Sequence, residues 1–323
     1  MNASSSENQI IEKPGHALKN PILHIAASFW EEDRLDAFKV CYDSMRSVDD
    51  LVDNLKSSGA FSDPSVRERT SAKIRKWVAD PGTLGEKADS GTFKRTIAEF
   101  KIPFYPWTRL AKAMEYDVHH ERFESMGKFL KYTRGAAVAP ATVFLHLISL
   151  TRNGSVYQPG ARELRPIARP LAVFSYMVHI MRDFRADTHG DLDYFPIRFK
   201  KEFNVTDLDI SRAADGDQSR NFDAMVKRYW SVALRYFKRA RREADIFSRE
   251  LQPRYKFSLG LIQSMYELIF RRFEENNFQL DPDKINLDSS AALEVTQRLA
   301  QENNLPNEIL ENGLIRLGEL IEA

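Results

Sequence analysis

A single cysteine, Cys41, stands in a chain of 323 residues. No internal disulfide can form, which fits a reducing compartment and a cytoplasmic location. An excess of charge of one sign is missing too. The formal net charge is +1, so the overall balance carries no footprint of nucleic acid or of an acidic polymer as partner. No apolar run reaches the roughly 20 residues that a membrane-spanning helix needs. The longest apolar-leaning stretch, Gly135 to Leu150, contains Pro140 and His146 and reads as a buried helix. Residues 1–16, MNASSSENQIIEKPGH, have no basic start, apolar stretch or small-residue cleavage site of a signal peptide, and read as a flexible tail. No anchor is visible at the C-terminus.

Period-two alternation bounded by turns is absent as well, so no sheet is expected. Helical periodicity takes its place. From Glu31 to Lys56 the apolar positions Leu35, Phe38, Tyr42, Met45, Val48, Val52 and Leu55 recur in steps of three and four. Further helices are expected at Val66–Ala79, Ile97–Phe100, Pro106–Tyr116, Phe123–Tyr132, Pro140–Leu150, Ile167–Asp187, Asn221–Leu251 and Phe257–Asn276. The stretch Asp80–Gly91 is rich in Gly, Asp, Lys and Ser and reads as a loop. Hydrophobic residues make up 43% and charged residues 29%, ordinary for a soluble chain long enough to bury a sizeable core. With no internal repeat or clear linker, the expected organisation is a tail at 1–16, one all-α domain at 17–286, and a C-terminal appendage at 287–323. The appendage carries two helices, Ala291–Glu302 and Asn307–Glu322.

Two acidic clusters carry the chemistry. Asp49 and Asp53 lie in YDSMRSVDDLVDN, and Asp183 and Asp187 in HIMRDFRADTHGDLDYFP. A rise of ~1.5 Å per residue puts i and i+4 about 6 Å apart on one helix face. Asp49 falls on the inward stripe Tyr42–Met45–Asp49–Val52. Asp183 and Asp187 share a stripe with Tyr176 and Ile180, beside His179. An acid on an inward stripe needs a compensating cation or hydrogen bond. Mg²⁺ takes oxygen ligands and bridges one or two carboxylates to a phosphate. Two facing pairs would therefore hold divalent cations against a diphosphate. One such pair alone, beside Arg46, Arg182 or Arg185, would more often be a salt-bridged, solvated face.

At these residues the chain resembles the squalene/phytoene synthase family of head-to-head prenyl transferases. YDSMRSVDDLVDN resembles the first aspartate-rich segment, and HIMRDFRADTHGDLDYFP the second. FKIPFYPWTRLAKAMEYD, FLKYTRGAAVAPATVFL and SMYELIFRRFEENNF resemble the segments between and after them, in order from about residue 17 to 280. The resemblance implies an isoprenoid synthase bundle around a central cavity. It implies that Asp49, Asp53, Asp183 and Asp187 hold Mg²⁺ and diphosphate, with Asp50 in support. Arg46 and Arg182 would contact diphosphate or orient the acids, and Tyr132 and Tyr266 would line the cavity. Asp117 matches a family acid near that cavity.

Small residues from Gly135 to Ala141, Ala137 and Ala141 among them, would let a prenyl chain pass, while Phe144, Phe174 and Tyr176 would shape it. The chain departs from the family where Tyr176 and His179 replace a glutamine and an asparagine. The family's early serine/aromatic segment is not recognisable in LKNPILHIAASFW, where Lys19 offers a basic contact.

The implied activity is Mg²⁺-dependent coupling of two farnesyl or geranylgeranyl diphosphates through a cyclopropyl diphosphate. NADPH would be needed if the product is a squalene. Such an apolar product implies peripheral contact with a membrane. Two other readings keep the same residues: a single-substrate terpene cyclase or diphosphate lyase, and a non-catalytic assembly factor derived from the family. The basic run Lys238–Arg242 reads as a charged outer face, and His119-His120 as a solvated helix end.

Overall fold

A computed structural model describes residues 22–85, 89–120, 122–190 and 192–322, the side chains of 318–322 excepted. The tail at 1–16 and Lys19 lie outside the described residues. Helices dominate. A short α1 (Ile22–Ala27) precedes α2 (Glu32–Ser57), α3 (Pro64–Ala79), α4 (Ser90–Glu99), α5 (Tyr105–His119), α6 (Met126–Ala136) and α7 (Val138–Ser149). Then come α8 (Arg165–His189), α9 (Ile197–Glu202), α10 (Asp207–Ala214), α11 (Arg220–Ser248), α12 (Pro253–Glu275), α13 (Pro282–Ile285), α14 (Ser289–Glu302) and α15 (Asn307–Glu322). Among the described residues no helix is long and apolar enough to cross a membrane.

Local chemistry sets many of the boundaries. Asp63 accepts from the Ser65 amide and Pro64 opens α3, so its start is both capped and preset. Thr206 and Asp209 form a capping box at α10. The expected helix from Phe123 begins instead at Met126, because the Ser125 side chain accepts from the Lys128 amide. Phe123 is left outside, and its carbonyl accepts from the Ile197 amide, which ties the start of α9 to the segment before α6.

The expectation of no sheet meets one exception. Thr151–Asn153 (β1) pairs antiparallel with Val156–Gln158 (β2) around Gly154, whose φ of 62° is left-handed. Only Tyr157 of this hairpin is buried. Its ring stacks on Phe100 at 4.4 Å and its hydroxyl donates to Asp33 at 2.6 Å. Tertiary packing, not alternation, holds these short strands.

The long helices build the walls. The helix α2 packs on α5 and α7, and α8 packs on α7, α11 and α12. The C-terminal α14 lies against α12, with Ala292, Val295 and Leu299 buried. Buried Arg34 sits at the end of α7, where Nη1 donates to the Leu147 carbonyl at 2.7 Å and the guanidinium lies 4.2 Å from the Tyr255 ring centroid. A cation there satisfies carbonyls that the helix cannot.

Gly135 was expected to lie along a prenyl track. It marks instead a close helix contact: a Cβ at this position would stand 2.2 Å from the Arg109 carbonyl oxygen of α5. Gly135→Ala must push α5 and α6 apart, with an expected loss of about 1–3 kcal/mol. Urea unfolding of the variant checks this; unchanged stability would mean that the two helices separate freely.

Candidate active site

A cavity of about 690 Å³ opens between α2 and α8, with α7 and α12 completing its walls. Of the residues expected at the site, Arg46, Asp49, Asp53, Tyr132, Ala137, Ala141, Tyr176, His179, Arg182, Asp183, Asp187 and Tyr266 line it. The charged groups gather where Asp183 and Asp187 end α8. Leu171 and Ala172 lie twelve residues or so earlier on that helix, about 18 Å away at its rise per residue. Ile22, Ala141, Phe144 and Ile262 add to the apolar part of the lining.

The first pair is held on one side only. The Arg46 Nη1 donates to Asp49 Oδ2 at 3.1 Å, while its Nη2 reaches the outward Asp50 at 2.7 Å. Among the described residues Asp53 has no hydrogen-bond or ion-pair partner. Burial and then the Asp53 charge push the Asp49 carboxyl up, against Arg46. Burial and Asp117 push Asp53 up.

The second pair is asymmetric. Arg182 grips Asp183 with two bonds of 2.7 Å, from Nε and Nη2. The same Nη2 donates to His179 Nδ1 at 2.8 Å, and His179 Nε2 lies 3.1 Å from Asp183 Oδ2. Guanidinium cannot accept, so Nδ1 must be bare and the Nε2 proton must face Asp183. Burial pushes His179 down to about 4, consistent with this neutral form. Both of its nitrogens are engaged within the protein. Burial works to raise Asp183, but the hydrogen bonds and the charge of Arg182 outweigh it and hold the carboxyl low. Asp187 has no partner among the described residues; burial, Asp183 and Asp53 push it up to about 7.

Among the described residues no three acidic, histidine or cysteine side chains converge closely enough to hold a metal ion alone. The carboxylates form two pairs on two helices, and the underused oxygens of Asp53 and Asp187 suit a cation whose remaining ligands arrive with an anionic substrate.

Some placements differ from the sequence reading. Phe174 is buried away from the cavity, 5.1 Å from Phe237 and 5.2 Å from Phe270 between ring centroids. The small-residue track is reduced to Ala136, Ala137, Pro140 and Ala141. Tyr42 and Tyr194 also line the cavity and were not singled out. Tyr42 lies on the same inward stripe as Asp49, which was the available signal. Tyr194 ends the second acidic segment in a non-helical stretch, where periodicity says nothing. Asp117 is buried behind the wall, bonded to Tyr132 and Lys56.

A bundle of helices around such a cavity is the architecture of the isoprenoid synthases. The sequence profile of the squalene/phytoene synthase family matches residues 23–310. The chain therefore belongs to the squalene/phytoene synthase family and is an enzyme of the prenyltransferase class. Among solved structures it is similar to a dehydrosqualene synthase in complex with ligand, with a TM-score of 0.68 at 12% identity over 88% of this chain and 93% of that one. It is also similar to the squalene synthase HpnC from Alicyclobacillus acidocaldarius, with a TM-score of 0.53 at 18% identity over 79% and 99%. Identities this low speak to fold. Comparison with curated protein sequences finds no significant match.

The crowding of carboxylates has a measurable cost. Asp187→Asn removes a buried charge that repels Asp183 and Asp53, so the metal-free variant is expected to melt about 2 °C or more above the parent. Calorimetry at neutral pH in chelator tests this. An unchanged or lower midpoint would show that Asp187 is not electrostatically strained.

Proposed function

We propose that the protein condenses two prenyl diphosphates, fifteen-carbon farnesyl or twenty-carbon geranylgeranyl, head to head to a squalene- or phytoene-type product through a cyclopropyl diphosphate. One observation carries the reading: two carboxylate pairs with attendant arginines line one cavity together with an aliphatic and aromatic wall. In this reading Asp49 and Asp53 on α2, and Asp183 and Asp187 on α8, hold Mg²⁺ with the diphosphates. The metal would supply Lewis-acid neutralisation of the charge that develops on the departing diphosphate. Arg46 and Arg182 add fixed positive charge beside it and orient Asp49 and Asp183.

The apolar wall does the remaining work. Ala137 and Ala141 leave room for a chain along α7, and Phe144 bounds it. Exclusion of water protects an allylic cation from capture. Tyr132, Tyr176 and Tyr266 line the cavity with ring faces able to stabilise positive charge. An apolar product favours release at a membrane surface, so peripheral contact there is part of the proposal. NADPH enters only if the product is a squalene.

Incubation of the purified protein with Mg²⁺ and each diphosphate, with and without NADPH, followed by mass analysis, tests the reading. A thirty- or forty-carbon product is expected, and activity should vanish in chelator. Asp49→Ala and Asp183→Ala should each lower the rate about 100-fold or more. Normal turnover in either variant would overturn the assignment. Products with no more carbons than the substrate would point to the cyclase or diphosphate lyase reading. Failure to bind diphosphate with Mg²⁺ would point to the assembly-factor reading.

A further inference from the structure

Lys56 lies on the last turn of α2, one turn beyond Asp53. Its Nζ donates to Asp117 Oδ1 at 2.9 Å, with the lysine and aspartate side chains 14% and 4% exposed. The Tyr132 hydroxyl donates to the other oxygen, Oδ2, at 2.6 Å. Asp117 is thus held from both sides, by a cation from α2 and a phenol from α6. Burying an ion pair is costly and seldom adds net stability, so the arrangement calls for another reason. Among the described residues Tyr132 is the one cavity-lining tyrosine whose hydroxyl donates to a carboxylate. A phenol has a single proton, and here it is committed to Asp117. The Tyr176 hydroxyl lies within hydrogen-bonding reach of the Tyr132 oxygen, and the remaining lone pair is left for the cavity, where Tyr132 can accept a proton.

We propose that Lys56 is a positioning residue that keeps Asp117 set to take the Tyr132 proton, and so makes Tyr132 the proton acceptor of the condensation. The inference rests on the proposed function. Alkylation of the acceptor's double bond leaves a carbocation. Ring closure breaks a C–H bond at the former C1 of the donor, now bonded to the acceptor, and its electron pair forms the new C–C bond to the cationic carbon of the acceptor, closing the cyclopropane. The proton goes to the Tyr132 oxygen as the tyrosine's own proton passes to Asp117 Oδ2. Lys56 remains an ammonium throughout. Water or the released diphosphate then takes the proton from Asp117. Without Lys56, Asp117 has no cation within hydrogen-bond reach among the described residues, and its grip on the Tyr132 hydroxyl is no longer directed.

The test compares wild type, Lys56→Met, Lys56→Gln and Lys56→Arg with Mg²⁺ and farnesyl or geranylgeranyl diphosphate, unlabelled and deuterated at C1. Lys56→Met and Lys56→Gln are expected to lower kcat about 10-fold or more with KM unchanged. Their deuterium isotope effect should exceed that of wild type, because proton removal becomes slower. Lys56→Arg should restore most of kcat. Melting with Mg²⁺ and inorganic diphosphate should show the same stabilisation in all four proteins. Wild-type kcat and isotope effect in Lys56→Met or Lys56→Gln would overturn the inference and leave the proposed function standing. Equal losses in all three variants, with no gain in isotope effect, would reduce Lys56 to a structural role. No turnover by wild type would remove the condensation reading and the inference with it.

Discussion

Asp53 stands close enough to raise the proton affinity of both Asp49 and Asp187, inside a cavity otherwise walled by aliphatic and aromatic side chains. That crowding is unfavourable by itself, and the packing of the bundle has to hold it. The helices α2 and α8 approach through their neighbours: α2 rests on α5 and α7, and α8 rests on α7, α11 and α12. The gap between them becomes the cavity. The same walls hold the carboxylates together and form the rest of the cavity, so in the proposed reaction binding of charge and protection of a cation would follow from one arrangement.

The two pairs are unequal, and hydrogen bonding explains why. Asp183 is gripped by Arg182 and faces the neutral His179, so it stays ionised. Asp187 and Asp53 lack such partners among the described residues. A divalent cation arriving with a diphosphate would find one fixed acceptor and others whose charge is not yet compensated. Tyr176 and His179 both line the cavity. Here the histidine is spent on Arg182 and Asp183 and offers no free nitrogen.

Legibility in the sequence varied with the kind of signal. The long amphipathic helices were readable because burial on one face imposes a period of 3.6 residues. Their ends were less so, as at Phe123, where a serine cap moved the start to Met126. The hairpin at 151–158 escaped notice because its strands are three residues each, too short for alternation to register. Phe174 and Gly135 were misplaced for a common reason. Residue type suggested a cavity role, but the side of the helix on which each sits was settled by contact with Phe270 and with the Arg109 carbonyl.

The sequence by itself determined the helical class, the two carboxylate pairs and their i, i+4 registration. These depend only on local geometry and on burial patterns along single helices. The tertiary structure alone decided which tyrosines would reach the cavity, and that Lys56 would meet Asp117 across two helices. Such contacts join residues far apart in the chain, and no periodicity within one segment encodes the distance between two others.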